Sequence, residues 1–350
     1  MSNPPANQAT ERNDKASTRA SLNVLYRQRR LKDSLARYLV SLGGVSVLIA
    51  ILLIFFYLLY VVAPLFESAE ITEDTHFAAP GGGQTLYLGQ EEQGELALRV
   101  SDAGRVIFFD TRSGAVSATF DLALPAAITS VSAEGNTLAL GLADGSVKVV
   151  RYVFDTRYAN DRRQLMPRLE FPLGEAPVRA EEDGAPGVAV DRLAFHIGED
   201  SIGIVTADSR GQLVFSRYSR EESFIDESIT TELESTTRYT LSTPVTAMLL
   251  TPLLDHLYVA LDAGQLLDFS LDSEGFAHAP VRHQLVGNIT DMKFLPGGFA
   301  LLAGLSNGLI QQWMPVRKQN IDTLTYIREF SISQSAVSRI AVEQQRKGFA

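Results

Sequence analysis

The sequence predicts a mainly β domain carried behind a single membrane-crossing α-helix. Three observations lead there: an uncharged apolar run from Tyr38 to Phe66, a period-two apolar pattern after it, and a short motif that recurs along the rest of the chain. The run, YLVSLGGVSVLIAILLIFFYLLYVVAPLF, has 29 residues. A bilayer core of roughly 30 Å needs only about 20 in a helix. A helix satisfies its own backbone hydrogen bonds, which lipid cannot do for it. Tyr57, Tyr60 and Phe66 lie toward one end and Tyr38 at the other, matching the aromatic belts of membrane interfaces. Gly43, Ser46 and Ala50 form a small-residue face, the kind that lets membrane helices approach closely.

Charge gives this segment a direction. The net charge is -10, yet residues 1–37 carry eight Lys/Arg against three acids, so the remainder carries -15. Beyond the apolar run, Glu67, Glu70, Glu73, Asp74, Glu91, Glu92 and Glu95 all precede the first basic residue, Arg99. Lys and Arg gather on the cytoplasmic side of membrane segments, so the N-terminus is expected inside and the bulk outside. The apolar region is about twice the 7–15 residues of a cleaved signal, and no small-x-small site comes closely after it. An uncleaved signal anchor is expected.

Before the anchor, residues 1–20 are polar and Pro-containing, which predicts a disordered cytoplasmic tail. Over 21–37, Leu22, Leu25, Tyr26, Leu31 and Leu35 recur at spacings that suit a basic amphipathic juxtamembrane helix. The Arg27–Arg30 cluster is read as orientation signal and anionic-lipid contact rather than a nucleic-acid site. An outer domain at -15 also argues against nucleic acid. With 45% hydrophobic and 21% charged residues, 350 in all, the chain has the composition of a folded protein of one large or two ordinary domains. It has no cysteine, which excludes disulfides, thiolate metal sites and a Cys nucleophile.

Residues 67–350 read as short antiparallel strands with Gly, Asn and Asp at the turns. Five runs align: Ile128–Val131, Val190–Leu193, Val245–Met248, Ile289–Met292 and Val337–Ile340. Each is a β-branched residue, a usually hydroxylated or acidic one, a variable one, then an aliphatic one. Strand alternation puts the first and fourth on opposite faces. About 17 to 21 residues after each of the first four comes a tight turn, at Asp144-Gly145, Arg210-Gly211, Ala263-Gly264 and Asn307-Gly308, then an apolar strand. An earlier turn, Ala103-Gly104, precedes Arg105–Phe109. The run starts lie 62, 55, 44 and 48 residues apart, against about 40–50 for a four-stranded propeller blade. The expected fold is therefore a WD40-like β-propeller without the Gly-His and Trp-Asp signatures. The long first interval holds a Pro- and charge-rich stretch, Asp155 to Pro186, expected as a protruding loop. Few residues come after the fifth run, so the expected propeller is incomplete in its last blade, and the chain is expected to be a fragment of a longer protein.

No catalytic, cofactor or metal residue stands out, and no enzyme activity is expected. Gly304-Leu-Ser306-Asn-Gly308 matches the G-x-S-x-G nucleophile elbow, but that elbow needs a strand–turn–helix context. Here it falls on a hairpin whose counterpart, Gly141–Gly145, has Ala143 for the serine. His76, His196, His256, His278 and His283 are scattered, without metal-ligand spacing. No phosphate-cradling Gly-rich loop precedes a helix. Asn288-Ile-Thr290 matches a glycosylation sequon inside a repeat strand and carries no weight. Trp313 is expected in the core.

The basic leader RQRRLKDSLARY (27–38), the helix end Ile54–Phe66 (IFFYLLYVVAPLF) and the acidic propeller-like domain together resemble the N-terminal half of a bacterial phosphate ABC-transporter permease. The subtype is the long one, with a large periplasmic domain after its first membrane helix. The resemblance covers essentially the whole chain, but the family's remaining membrane helices and ATPase-coupling helix lie outside these residues. It implies a bacterial inner-membrane import component for inorganic phosphate. The implied partners are a second permease subunit, an ATPase subunit and a phosphate-binding protein. The alternative is a stand-alone membrane-anchored propeller scaffold that binds envelope proteins.

Overall fold

Helix formers without interruption set the first element. No Gly or Pro occurs from Asn7 to Leu42, and in the computed structural model one helix, α1, runs unbroken over Asn7–Val62. Described are residues 7–66, 75–159, 162–179, 187–222, 229–318, 321–331, 333–343 and 348–349. They fall into two units, Met1–Asp74 and Thr75–Ala350. Helical backbone from Asn7 differs from the disordered tail expected over 1–20. The juxtamembrane and membrane helices are likewise one element. The stop is a proline effect: Pro64 disfavours α conformation in the residue before it. The helix accordingly ends at Val62, and Ala63–Phe66 form a 3-10 turn. Within α1, Leu35–Val62 is long and apolar enough to cross a membrane. Its 28 residues span about 42 Å at ~1.5 Å each. Every side chain from Leu35 to Ala63 is exposed, so this helix is not the core of a water-soluble fold. Ser46 donates its hydroxyl back to the Gly43 carbonyl at 2.8 Å, which satisfies it inside the helix.

The second unit is five antiparallel sheets, each built up in chain order, and none closes on itself among the described residues. The first sheet is β1 (Thr85–Gln90), β2 (Leu96–Ser101), β3 (Arg105–Asp110) and β4 (Val116–Asp121). The second is β5 (Ile128–Glu134), β6 (Thr137–Leu142), β7 (Ser146–Ala159) and β8 (Arg162–Glu170), with β9 (Val178–Arg179) also on β7. The third is β10 (Arg192–Ile197), β11 (Ser201–Ala207), β12 (Gln212–Glu222) and β13 (Ile229–Thr240). The fourth is β14 (Val245–Leu250), β15 (His256–Leu261), β16 (Gln265–Asp272) and β17 (Gly275–Phe276), with β18 (Val281–Gln284) also on β16. The fifth is β19 (Ile289–Phe294), β20 (Leu301–Leu305), β21 (Leu309–Lys318) and β22 (Ile321–Ser331).

All five glycine turns fall where the sequence places them, between the second and third strands of each sheet. At Gly308 the reason is steric. Its φ is 83°, and an added Cβ would lie 2.0 Å from the Ser333 carbonyl oxygen. Gly308→Ala is expected to destabilise the domain by about 2 kcal/mol or more, read as a lowered urea midpoint.

The recurring runs behave differently from simple alternation. In β1, β5, β14 and β19 the register shifts near the start of the strand, at Thr85/Tyr87, Ile128/Ser130, Val245/Ala247 and Ile289/Asp291. Such a bulge inserts one extra residue and re-aims the side chains after it. In the runs on β5, β14 and β19 the first and fourth residues therefore point into the same core, contrary to expectation, and the other two runs reach the same facing without a register shift. Ile128 and Val131 enter one core cluster, as do Val190 and Leu193, Val245 and Met248, Ile289 and Met292, and Val337 and Ile340. Two of the bulged threonines bond the strand opposite: Thr129 donates to the Gly141 carbonyl at 3.1 Å and Thr290 to that of Gly304 at 3.0 Å.

The four larger clusters fill the seams between one sheet and the next, and the middle strands β2, β6 and β20 are buried throughout. The fifth run differs in one respect. Val337–Ile340 forms no strand, and its neighbourhood holds only the isolated bridge Val342↔Phe349 among the described residues. It still docks like the second run. Val337 N–H donates to the Leu305 carbonyl at 3.1 Å, as Val190 N–H does to that of Leu142 at 3.2 Å. A strand requires a laddered neighbour, and none flanks this run among the described residues.

The expected loop from Asp155 is largely a hairpin. β7 and β8 stay paired out to Ala159↔Arg162, while 180–186 lie outside the described residues. Tyr152 and Phe154 anchor one face, Phe154 meeting Phe108 edge-on at 5.6 Å. Pro167 is tolerated because β8 is an edge strand. Arg163 ties the hairpin to the first sheet through Glu91 at 2.9 Å and Glu95 at 3.3 Å.

Candidate functional site

The residues that sequence singled out for chemistry are dispersed and structurally engaged. Ser306 and Asn307 sit in the turn between β20 and β21, a strand–turn–strand context. The Ser306 hydroxyl accepts from the Asn288 N–H at 3.1 Å, latching the turn to the preceding link. The Asn288 backbone N–H and the Thr290 hydroxyl of the sequon are thus both bonded to the β20–β21 hairpin, while the Asn288 residue is exposed. Trp313 is 8% exposed and packs in the core between the fourth and fifth sheets, as expected.

The histidines stay apart. His196 Nδ1 lies 2.8 Å from Glu134 across the seam between the second and third sheets. His256 Nδ1 lies 2.7 Å from Asp268 Oδ1. That bond, against an opposing effect of burial, holds His256 above the ordinary histidine value. His283 is pushed down by burial, with Asp268 pulling the other way. His278 is exposed in the loop after β17. No group of three or more His, Cys, Asp or Glu is placed to hold a metal among the described residues.

A cleft of about 410 Å³ opens between the second and third sheets, at their second-to-third-strand turns. Asp144, Arg179, Asp208 and Arg210 line it with the backbone of Gly145 and Gly187. Arg179 pairs with Asp144 at 2.8 Å and Arg210 with Asp208 at 3.0 Å. Burial pushes Asp144 up, but the bonds from Ser146 and Arg179 outweigh it and leave the carboxyl below its usual range. Each guanidinium is matched by a carboxylate, so the cleft carries no net charge from these four groups. It offers paired donors and acceptors rather than a nucleophile with a base.

One buried charge lies in the second sheet. Lys148 is 2% exposed, donates to the Glu175 carbonyl and sits 4.2 Å from the Phe171 ring centroid. Burial pushes its ammonium down, with Glu175 opposing. This packing fixes the 171–175 segment against the second sheet. The sequence pattern assigned no site role to Lys148, Asp268 or the four cleft residues, of which Asp144 and Arg210 stood out only as turn residues. A signal was present in the repeats: Lys148 and Asp268 occupy strand positions that are apolar in most of the other sheets.

Comparison with protein-family models and with curated proteins finds no match for this chain.

Proposed function

We propose that the chain is the membrane-anchored part of an import permease for inorganic phosphate, its β unit a propeller-type docking domain on the far side of the membrane. The observation that carries the anchoring is Leu35–Val62, uncharged from Tyr38 onward and exposed along its whole length. Exposed apolar surface of that extent in water is unfavourable by about 25 cal/mol per Å², and a bilayer removes the penalty. The basic residues before it and the acidic ones after it support an inside N-terminus.

The propeller reading rests on the five meanders and on the runs that plug each seam. Val337–Ile340 docks on the fifth sheet as Val190–Leu193 docks on the second, which supports a further blade beginning there. The choice of phosphate rests on the resemblance of residues 27–38 and 54–66 to the permeases. Deleting the gene in its host is expected to lower phosphate uptake under phosphate limitation. Unchanged uptake, with no paralogue present, refutes the transport reading and leaves a membrane-anchored scaffold.

A further inference from the structure

The seam between the fourth and fifth sheets holds buried polar atoms that the fold leaves unused. His283 on β18 faces Trp313 on β21, their rings edge-on at 5.5 Å. Gln311 lies two residues before Trp313 on β21, both of them opposite β20. His283 Nε2, Trp313 Nε1 and Gln311 Oε1 are shut off from solvent without a hydrogen-bond partner. Trp313 is 8% and Gln311 4% exposed, and Leu266, Leu285 and Leu324 share the core cluster of Trp313. An unpartnered buried polar atom is a standing cost that hydration relieves.

We propose that this seam is a proton-operated joint, in which protonation of His283 breaks its contact with Trp313 and opens the two sheets to water. His283 is half-buried, and it is the enclosed Nε2 edge of an imidazolium, facing Trp313, that would have little to solvate it. The carboxylate that acts on it, Asp268, is already engaged by His256 at 2.7 Å. The other charged or titratable groups on the facing sides are Tyr258 and Asp255 from the fourth sheet, and Arg317, Asp322, Tyr326 and Glu329 from the fifth. Arg317, Asp322, Tyr326 and Glu329 are exposed, where solvent screens them.

Linkage sets the sign. His283 is depressed in the closed seam, so the open seam binds the proton more tightly. Closure is fully favoured above the ordinary histidine value and is lost as pH falls toward the depressed one. One differential proton changes the opening equilibrium by up to about tenfold per pH unit. His256 acts in the opposite sense. Its value is raised, so its bond to Asp268 contributes fully below the ordinary value and is lost as pH rises through the raised one. That bond joins β15 to β16 inside the fourth sheet, so the loosening of the seam itself follows His283, below the ordinary histidine value of about 6.5.

The chain has a single tryptophan, so indole emission reports on this seam alone. For the full chain in detergent, lowering the pH is expected to quench and red-shift emission in one step below the ordinary histidine value. Amide exchange in β18 and β21 should quicken over the same range. His283→Gln should abolish the step. His256→Gln should keep it and move its midpoint, because Asp268 is then released toward His283. Emission that ignores pH in the unaltered chain, or a step intact in His283→Gln, overturns the proposal. Should His283→Gln fail to fold, an NMR titration of the unaltered chain decides: a His283 ring titrating at or above the ordinary value overturns it.

Discussion

Two arginines in the middle of the apolar helix, Leu52→Arg with Phe55→Arg, are expected to strip the protein from membranes. Leu35–Val62 contains eighteen Leu, Ile, Phe and Val residues. On an insertion scale each favours the membrane by about 0.3–0.6 kcal/mol, roughly 5–10 kcal/mol together. Two central arginines cost about 5–7 kcal/mol on the same scale, which removes most of that gain. The expected readout is loss from the carbonate-resistant membrane fraction. Leu52→Ile with Phe55→Leu should remain in it. The absence of native cysteine makes the orientation directly measurable. Ser209→Cys, exposed in the turn before β12, should react with an impermeant thiol reagent added outside. Ser17→Cys should react only after permeabilisation. The reverse pattern would overturn the proposed direction.

How much of this was legible in sequence depends on the range of the interactions involved. The apolar helix and the glycine turns were readable because each is decided locally, by lipid-like composition or by a backbone angle such as that of Gly308. The core runs were readable as repeats but not in their facing. The bulge at Thr129 or Thr290 flips the alternation, and a bulge is a property of two paired strands. The β7–β8 hairpin was hidden for a similar reason: charge and proline suggested a loop, while the Phe108 that Phe154 packs on comes from another sheet. The polar seam was hidden because His283 and Trp313 are distant in sequence and meet only when the fourth and fifth sheets stack. Asp268 was the one visible trace, an acid standing where Phe108, Val149 and Phe215 stand in earlier repeats.

The same stacking predicts where damage will stop. Phe108 is fully buried and meets Phe120 at 5.8 Å and Phe154 at 5.6 Å, both edge-on. It fills the seam between the first and second sheets with Leu98, Leu138 and Leu140. Phe108→Ala is expected to destabilise the domain by about 3–5 kcal/mol, read from urea unfolding. Phe299→Ala, at a position 60% exposed, should stay within about 0.5 kcal/mol. The seam clusters each join one sheet to its neighbour, as in proteins whose stability is a sum of nearest-neighbour terms. Hydrogen-exchange protection in Phe108→Ala should therefore fall first in β1–β8, while β19–β22 keep theirs. Equal loss in all five sheets would mean that the seams are coupled as one cooperative unit, and that each sheet depends on more than the neighbour it touches.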